Sequence, residues 1–111
     1  MAERFFYLTT TGRESGLPRE IEIWFVEHEG RYYLVSERRE ASGWVQNLRK
    51  EARVRFSIGS RDAHEEGSAS APGRGRIVDG AGEEDLVHAV SARMEAKYQW
   101  SDGLVVEITA D

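Results

Sequence analysis

Two short apolar segments on either side of a glycine-rich turn constrain the fold of this chain more than any other feature. The first segment, residues 5–11, consists only of aromatic, apolar and β-branched residues, which pack well in strands and lose side-chain freedom in helices. The second segment, residues 20–26, begins with strict alternation, which places Ile21, Ile23 and Phe25 on one face. The sequence therefore predicts a strand, a turn and a second strand.

The turn at residues 12–19 has a composition that suits two different roles. Its two glycines allow the backbone to approach a ligand closely, and its proline blocks helix formation. Two arginines and a serine, Arg13, Arg19 and Ser15, can hold an anion. Charged, glycine-rich turns are also common at solvent-exposed hairpins. Composition alone leaves both interpretations open.

Patterns in the remaining sequence predict four further strands and two helices. The strands are expected near residues 32–36, 53–58, 73–78 and 104–109. A first helix, residues 41–51, follows from the apolar spacing of Ala41, Trp44, Val45 and Leu48, and a second, residues 83–97, from the spacing of Leu86, Val90 and Met94. The centre of the segment between the fourth and fifth strands, residues 64–68, is expected to be a mobile loop.

Six strands with two helices predict one small α+β domain over residues 1–111. A doubly wound sheet would alternate strands with helices, and this chain does not. A length of 111 residues fits a single domain. A small barrel is favoured over an open sheet, because a barrel hides most of its strand edges.

Composition excludes several classes of function. The net charge of −5, from 15 basic and 20 acidic residues, argues against a general nucleic-acid binder. The absence of cysteine excludes disulfides, thiolate metal sites and thiol nucleophiles. No apolar run approaches the roughly 18 residues of a membrane span, and the first residues lack a signal-peptide pattern. We therefore expect a cytoplasmic protein without a membrane span.

The sequence also lacks the motifs of common catalytic and metal sites. No spacing unites His28, His64 and His88 with acidic residues as metal ligands. A Gly-x-Ser-x-Gly elbow, a P-loop and a dinucleotide fingerprint are all absent. We therefore predict no metal site and assign no catalytic residue.

What remains is a set of anion donors, polar groups and aromatic residues in three places. Besides the turn, these lie at the end of the third strand (Ser36, Arg38, Arg39) and on the first helix (Trp44, Asn47, Arg49). Arginine side chains suit phosphate and carboxylate groups. Trp44 can equally belong to the core, and Asn47 can merely tie the helix to a neighbouring strand.

One string of the sequence resembles a known family. Thr9-Thr10-Thr11-Gly12-Arg13, followed by Ser15-Gly16, Pro18-Arg19 and Trp24-Phe25, resembles the opening signature of the deazaflavin (F420)-dependent nitroreductases. That family belongs to the flavin-binding split β-barrels, which include pyridoxamine 5′-phosphate oxidase. The resemblance covers the first half of the chain well and the second half only by pattern. It implies a six-stranded, mainly antiparallel split β-barrel with two helices.

The resemblance also implies a function and a binding site. The function is an oxidoreductase of the nitroreductase or quinone reductase type, which transfers hydride from reduced F420 to a small acceptor such as a quinone, nitro compound or enone. FMN is the alternative cofactor, and a flavin-binding or sequestering module without turnover is the alternative role. The implied assembly is a homodimer. The implied cofactor-binding residues are Arg13, Ser15, Gly16, Arg19, Ser36, Arg38, Trp44 and Asn47.

The chain departs from the family pattern at three places. Glu14 stands where a lysine is common, which replaces a positive charge by a negative one near the implied phosphate site. Ile21 stands where a small or polar residue is common and Glu22 where a proline is common, and residues 51–53 read Glu-Ala-Arg instead of Asn-Pro-Arg. These changes leave the choice between F420 and FMN open.

Overall fold

The computed structural model describes residues 4–67, 69–78 and 80–111, and in these ranges it contains seven strands and three α-helices. In chain order they are β1 (Phe5–Thr11), β2 (Pro18–Ile23), β3 (Val26–His28), β4 (Arg31–Ser36), α1 (Gly43–Lys50), β5 (Arg53–Gly59), α2 (Arg61–Glu65), β6 (Ala71–Val78), α3 (Glu84–Tyr98) and β7 (Leu104–Ala110), with a 3₁₀ turn at Arg39–Ala41. All strand pairs are antiparallel. The strands form one sheet in the order β2-β1-β5-β6-β7-β4-β3.

The two edge strands of this sheet, β2 and β3, are consecutive in the sequence. Only Trp24 and Phe25 separate them, and three residue steps span at most about 11 Å. The sheet must therefore curl until its opposite edges approach each other. Within the described residues no hydrogen-bonded ladder joins the two edges, so the curled sheet is not closed.

The concave side of the curled sheet holds the main core. Phe6 stacks on Phe56 with ring centroids 5.2 Å apart, and both contact the same cluster as Leu8, Leu34 and Ile108. Ile21, Ile23 and Phe25 all pack against this cluster, which confirms the alternation predicted for the second segment.

Helix α1 packs against the same core. Val45 and Leu48 are buried in it, and a Cβ built on Gly75 would lie only 2.5 Å from Leu48 Cδ1. Glycine at position 75 is therefore needed for α1 to approach β6.

Helix α3 covers part of the convex side. Val90 and Met94 are completely buried there against a second cluster that includes Val35, Val78 and Val105. The four-residue spacing of Val90 and Met94 thus marks the face that the sequence predicted to be buried. None of the helices in the described ranges is long and apolar enough to cross a membrane.

The predicted count of six strands and two helices is wrong, and the first reason lies at residues 24–25. The second segment divides into β2 and β3, because the Phe25 backbone bonds to α3 and not to a strand. Phe25 N donates to the Tyr98 hydroxyl at 3.2 Å, while Phe25 O accepts from that hydroxyl at 3.0 Å and from Lys97 Nζ at 2.9 Å. These three hydrogen bonds replace the strand ladder at this point.

The second reason is the short helix α2, in the segment for which a mobile loop was predicted. Ser60 caps this helix by accepting a hydrogen bond from Ala63 N at 3.2 Å. His64 and Glu65 belong to the helix, so the loop prediction is wrong for them, and Ser68 lies outside the described residues. The ring of His64 stacks on Tyr7 at 3.6 Å, which holds α2 against β1.

Candidate functional site

Two neighbouring clefts are lined by seven of the eight cofactor-binding residues that the family resemblance implies. The larger, here called the wide cleft, has a volume of about 700 Å³. The smaller, here called the turn cleft, has a volume of about 350 Å³ and lies at the turn between β1 and β2. Trp44 lines both clefts, so the two adjoin at this indole.

All three tryptophans of the chain line the wide cleft. Trp24 is 40% exposed and stacks on Tyr98 with centroids 4.4 Å apart, and Trp100 meets it edge-on at 6.3 Å. Trp44 is partly buried against the core, so the alternatives of core residue and cleft wall both describe it. Flat aromatic walls of this kind favour a flat, apolar ligand group.

One end of the wide cleft carries two buried serine hydroxyls. Ser36 Oγ donates to the Arg39 carbonyl oxygen at 2.9 Å and lies 2.6 Å from Ser42 Oγ. Since the single hydrogen of Ser36 is engaged with Arg39, Ser42 donates to Ser36. Ser42, which sequence analysis missed, thus lines the cleft with its oxygen lone pairs.

Arg38 also lines the wide cleft, and its exposed side chain has no hydrogen-bond or ion-pair partner among the described residues. The neighbouring Arg39 is engaged elsewhere, because its Nη2 contacts Asp102 Oδ1 at 2.8 Å. Arg49 is exposed on α1 and lines neither cleft. Of Arg38, Arg39 and Arg49, only Arg38 borders either of the two clefts.

An ion pair between Glu22 and Arg61 forms another wall of the wide cleft. Arg61 Nε lies 3.2 Å from each Glu22 carboxylate oxygen, and the Tyr7 hydroxyl donates to Glu22 at 3.4 Å. The hydrogen bond from Arg61 lowers the pKa of Glu22. The pair therefore adds no net charge to the cleft. Sequence analysis missed Arg61, which lies at the start of α2, a helix that was not predicted.

The turn cleft collects the cationic residues of the turn. Arg13, Ser15 and Arg19 line it together with Asn47, and Glu14 adds a carboxylate to the same wall. The side chain of Arg19 is exposed and has no partner among the described residues. A Cβ built on Gly12 would lie 2.6 Å from Ser15 Oγ and 3.1 Å from the Leu17 carbonyl oxygen, so a larger residue at the base of this cleft would displace the Ser15 side chain.

Gly16 is the one implied site residue that neither cleft includes. It has a left-handed backbone with φ of 72°, which glycine adopts readily. Its N–H donates to the Gly12 carbonyl oxygen at 2.8 Å, and the residue borders a separate cleft with Pro18 and Arg53. Gly16 therefore shapes the turn without facing the turn cleft. Among the described residues no group of three or more metal-ligating side chains is close enough to hold a metal ion.

Comparison with known families gives one match that covers most of the chain. The family described as F420H(2)-dependent quinone reductase matches residues 2–100. This match confirms the resemblance seen in residues 9–25. No curated protein is similar enough in sequence to count as a match.

Solved structures of low sequence identity share the fold. HutZ, the heme storage protein from Vibrio cholerae, has a TM-score of 0.72 at 15% identity over 96% of this chain and 81% of its own. A FAD-binding protein from Mesorhizobium loti has a TM-score of 0.72 at 14% identity over 99% and 83% of the two chains. An F420 reductase has a TM-score of 0.65 at 14% identity over 99% and 88%. At these identities the likeness establishes the fold alone.

Proposed function

Because the chain belongs to the F420H(2)-dependent quinone reductase family, we propose that it is an oxidoreductase that binds F420 and reduces a small organic acceptor. A quinone, a nitro compound and an enone are the acceptor classes that we propose. The observation that carries the proposal is the arrangement of the two clefts. A cleft walled by all three tryptophans adjoins, at Trp44, a cleft lined by Arg13 and Arg19.

The residues present fit the chemistry of this cofactor. F420 combines a flat ring with a phosphate and an acidic glutamate tail. The wide cleft offers indole surfaces for a ring, and the turn cleft offers two guanidinium groups for a phosphate. Arg38 lines the wide cleft as a further cation for the ring edge or the tail. Glu14 opposes this fit, since its charge repels an acidic tail.

Bound F420 supplies hydride chemistry and reacts poorly with oxygen, so the protein itself needs no nucleophile. The residues of the clefts then bind, orient and exclude water. Trp24 and Trp100 wall the wide cleft, and the stack of Trp24 on Tyr98 fixes the indole. The lone pairs of Ser42 Oγ can accept a hydrogen bond from an N–H at the edge of a ring.

We expect the chain to bind F420 more tightly than FMN. FMN ends at its phosphate and leaves Arg38 without a ligand, whereas the acidic tail of F420 gives this exposed arginine a partner. The measurement is a fluorescence titration of the ligand-free protein with each cofactor, in which the tryptophans of the wide cleft act as reporters. Tight FMN binding without detectable F420 binding contradicts the prediction and places the chain with the FMN-binding split barrels.

A binding module without turnover is the second candidate, because the two clefts would hold the cofactor equally well in a protein that does not catalyse its oxidation. Reduced F420 in stoichiometric amounts, mixed anaerobically with the protein and a soluble quinone, separates the two roles. Oxidation of F420 faster than in a protein-free control supports an oxidoreductase. Tight binding of F420 with oxidation at the control rate supports the module, and the same assay with a nitro compound and an enone tests the acceptor classes.

We also expect a two-fold dimer, the commonest symmetric assembly. The aromatic residues of the first strands supply little surplus surface for a partner, because Phe6, Tyr7, Phe25 and Tyr33 are buried within one chain. Among the described residues, the large apolar side chains left exposed are Leu17 at 58% and Trp24 at 40%. Light scattering at micromolar concentration with F420 present is expected to give twice the 12.6 kDa mass of one chain. A mass of one chain under these conditions contradicts the dimer.

A further inference from the structure

Asn47 connects helix α1 with the turn through a buried side-chain amide. The residue is 5% exposed, and its Oδ1 accepts two hydrogen bonds from Arg13, one from the backbone N at 3.1 Å and one from Nη1 at 2.9 Å. Its Nδ2 donates to Thr10 Oγ1 at 3.1 Å, and Thr10 is 1% exposed. Both lone pairs of Oδ1 are thereby engaged within the protein.

Hydrogen bonds hold both the side chain and the backbone of Arg13 in place. Its Nη1 donates to Asn47 Oδ1 and to the Gly43 carbonyl oxygen at 3.3 Å. Its own carbonyl oxygen accepts from Lys50 Nζ at 2.6 Å. Because Nη1 carries two hydrogens, these two bonds leave Nε and Nη2 as the remaining donors of the guanidinium. Neither atom has a hydrogen-bond partner among the described residues, and Arg13 lines the turn cleft.

A guanidinium held in this way is prepared for an anion. Nε and Nη2 form one planar edge of the group, which matches two oxygens of a phosphate or carboxylate. A free arginine loses much rotamer freedom when it binds a ligand, and a side chain that is already fixed loses less. The affinity of the turn cleft for an anion therefore depends on what holds Nη1.

We propose that Asn47 is a positioning residue for the anion site in the turn cleft. Together with Thr10 it fixes Arg13 so that the Nε–Nη2 edge stays free for two oxygens of a phosphate group. The inference rests on the proposed function for the identity of the ligand, and it assigns to Asn47 an indirect role that the family resemblance does not distinguish from direct contact.

A double-mutant cycle tests this assignment. Affinities for F420, with FMN as a second probe, are measured by fluorescence titration for the wild type, Arg13→Ala, Asn47→Ala and the double variant. Each single variant is expected to bind F420 at least about tenfold more weakly. The double variant is expected to match Arg13→Ala within about twofold, because Asn47 acts only through Arg13.

Gln46→Ala is the matched control. Gln46 lies next to Asn47 on α1, and its amide donates to the Glu40 and Ala41 carbonyl oxygens at 3.2 and 3.5 Å, outside both clefts. This variant is expected to bind F420 as the wild type does. Thermal melting of all variants separates an effect on binding from an effect on folding. If Asn47→Ala does not fold, Thr10→Val takes its place, with a loss of affinity that disappears in the Arg13→Ala background.

Three results overturn the inference. Affinity losses that multiply in the double variant mean that Asn47 acts independently of Arg13. Wild-type affinity in Asn47→Ala, or in Thr10→Val where that variant stands in, means that the network does not position Arg13. In both cases the wild type still binds, so the proposed function stands. A wild type that binds neither F420 nor FMN overturns the proposed function and this inference together.

Discussion

Replacement of Arg13 or Arg19 by alanine is expected to weaken F420 binding by about ten- to two-hundred-fold. Each variant removes a guanidinium from the turn cleft and with it a charge-assisted hydrogen bond to the phosphate. Fluorescence titration of the folded variants measures the loss. Arg49→Ala is the control, because this exposed arginine of α1 lines neither cleft. Unchanged affinity in both variants would mean that the turn is an ordinary solvent-exposed hairpin without a role in binding.

A change of charge at position 14 is expected to have the opposite effect on the affinity for F420. Glu14 lines the turn cleft beside Arg13, so its replacement by lysine turns a repulsive charge into an attractive one. Tighter F420 binding in Glu14→Lys than in the neutral Glu14→Gln is the expected result. Added salt is expected to reduce this gain, because exposed charges are screened.

Replacement of Glu107 by alanine is expected to lower the free energy of unfolding by about 3 kcal/mol. The Glu107 carboxylate is buried on β7, where it accepts a hydrogen bond from the Tyr33 hydroxyl at 2.8 Å and one from Arg76 Nε at 3.0 Å. The alanine variant leaves the buried Tyr33 hydroxyl without this acceptor. Urea unfolding measures the loss, and Glu83→Ala is the control, since Glu83, whose side chain is 31% exposed, is the other partner of Arg76. A loss in Glu107→Ala no larger than in the control contradicts the prediction.

The same carboxylate makes stability depend on pH in a defined direction. Burial favours the protonated form, but the hydrogen bonds from Arg76 and Tyr33 outweigh it and hold the pKa of Glu107 below its ordinary value. Burial and the hydrogen bond to Glu107 raise the pKa of Tyr33 to about 12, so its hydroxyl stays a donor. A carboxyl with a lowered folded pKa contributes stability above its unfolded pKa and loses it as the pH falls through the folded value. The wild type should therefore lose more stability than Glu107→Gln between about pH 7 and about pH 3.

Local patterns correctly predicted the elements in which apolar side chains recur along one face. The alternation of Ile21, Ile23 and Phe25 correctly gave a buried face. The spacing of Val45 and Leu48 correctly gave the buried stripe of α1. In both cases burial of regularly spaced apolar side chains decides the structure, and such spacing is visible in a single sequence.

Contacts between distant residues account for what the sequence did not predict. The division of the second segment depends on hydrogen bonds from Lys97 and Tyr98, more than 70 residues away from Phe25. Helix α2 is five residues long, too short for a periodic pattern, and its cap and the stack of His64 on Tyr7 define it. The engagement of Asn47 with Arg13 is likewise a contact across 34 positions. Such contacts follow from the complete fold and leave no local signal.

The short link between the two edge strands limits how far the curled sheet can open. The edges of β2 and β3 share no ladder within the described residues, so they can separate without breaking any strand pairing. The three hydrogen bonds of the Phe25 backbone and the stack of Trp24 on Tyr98 oppose such a separation, as does the packing of β2 and Phe25 against the main core. Because only Trp24 and Phe25 connect β2 to β3, the distance by which the two edges can separate is small. Because Trp24 lies between the two edge strands and lines the wide cleft, a separation of these strands is expected to move one wall of that cleft.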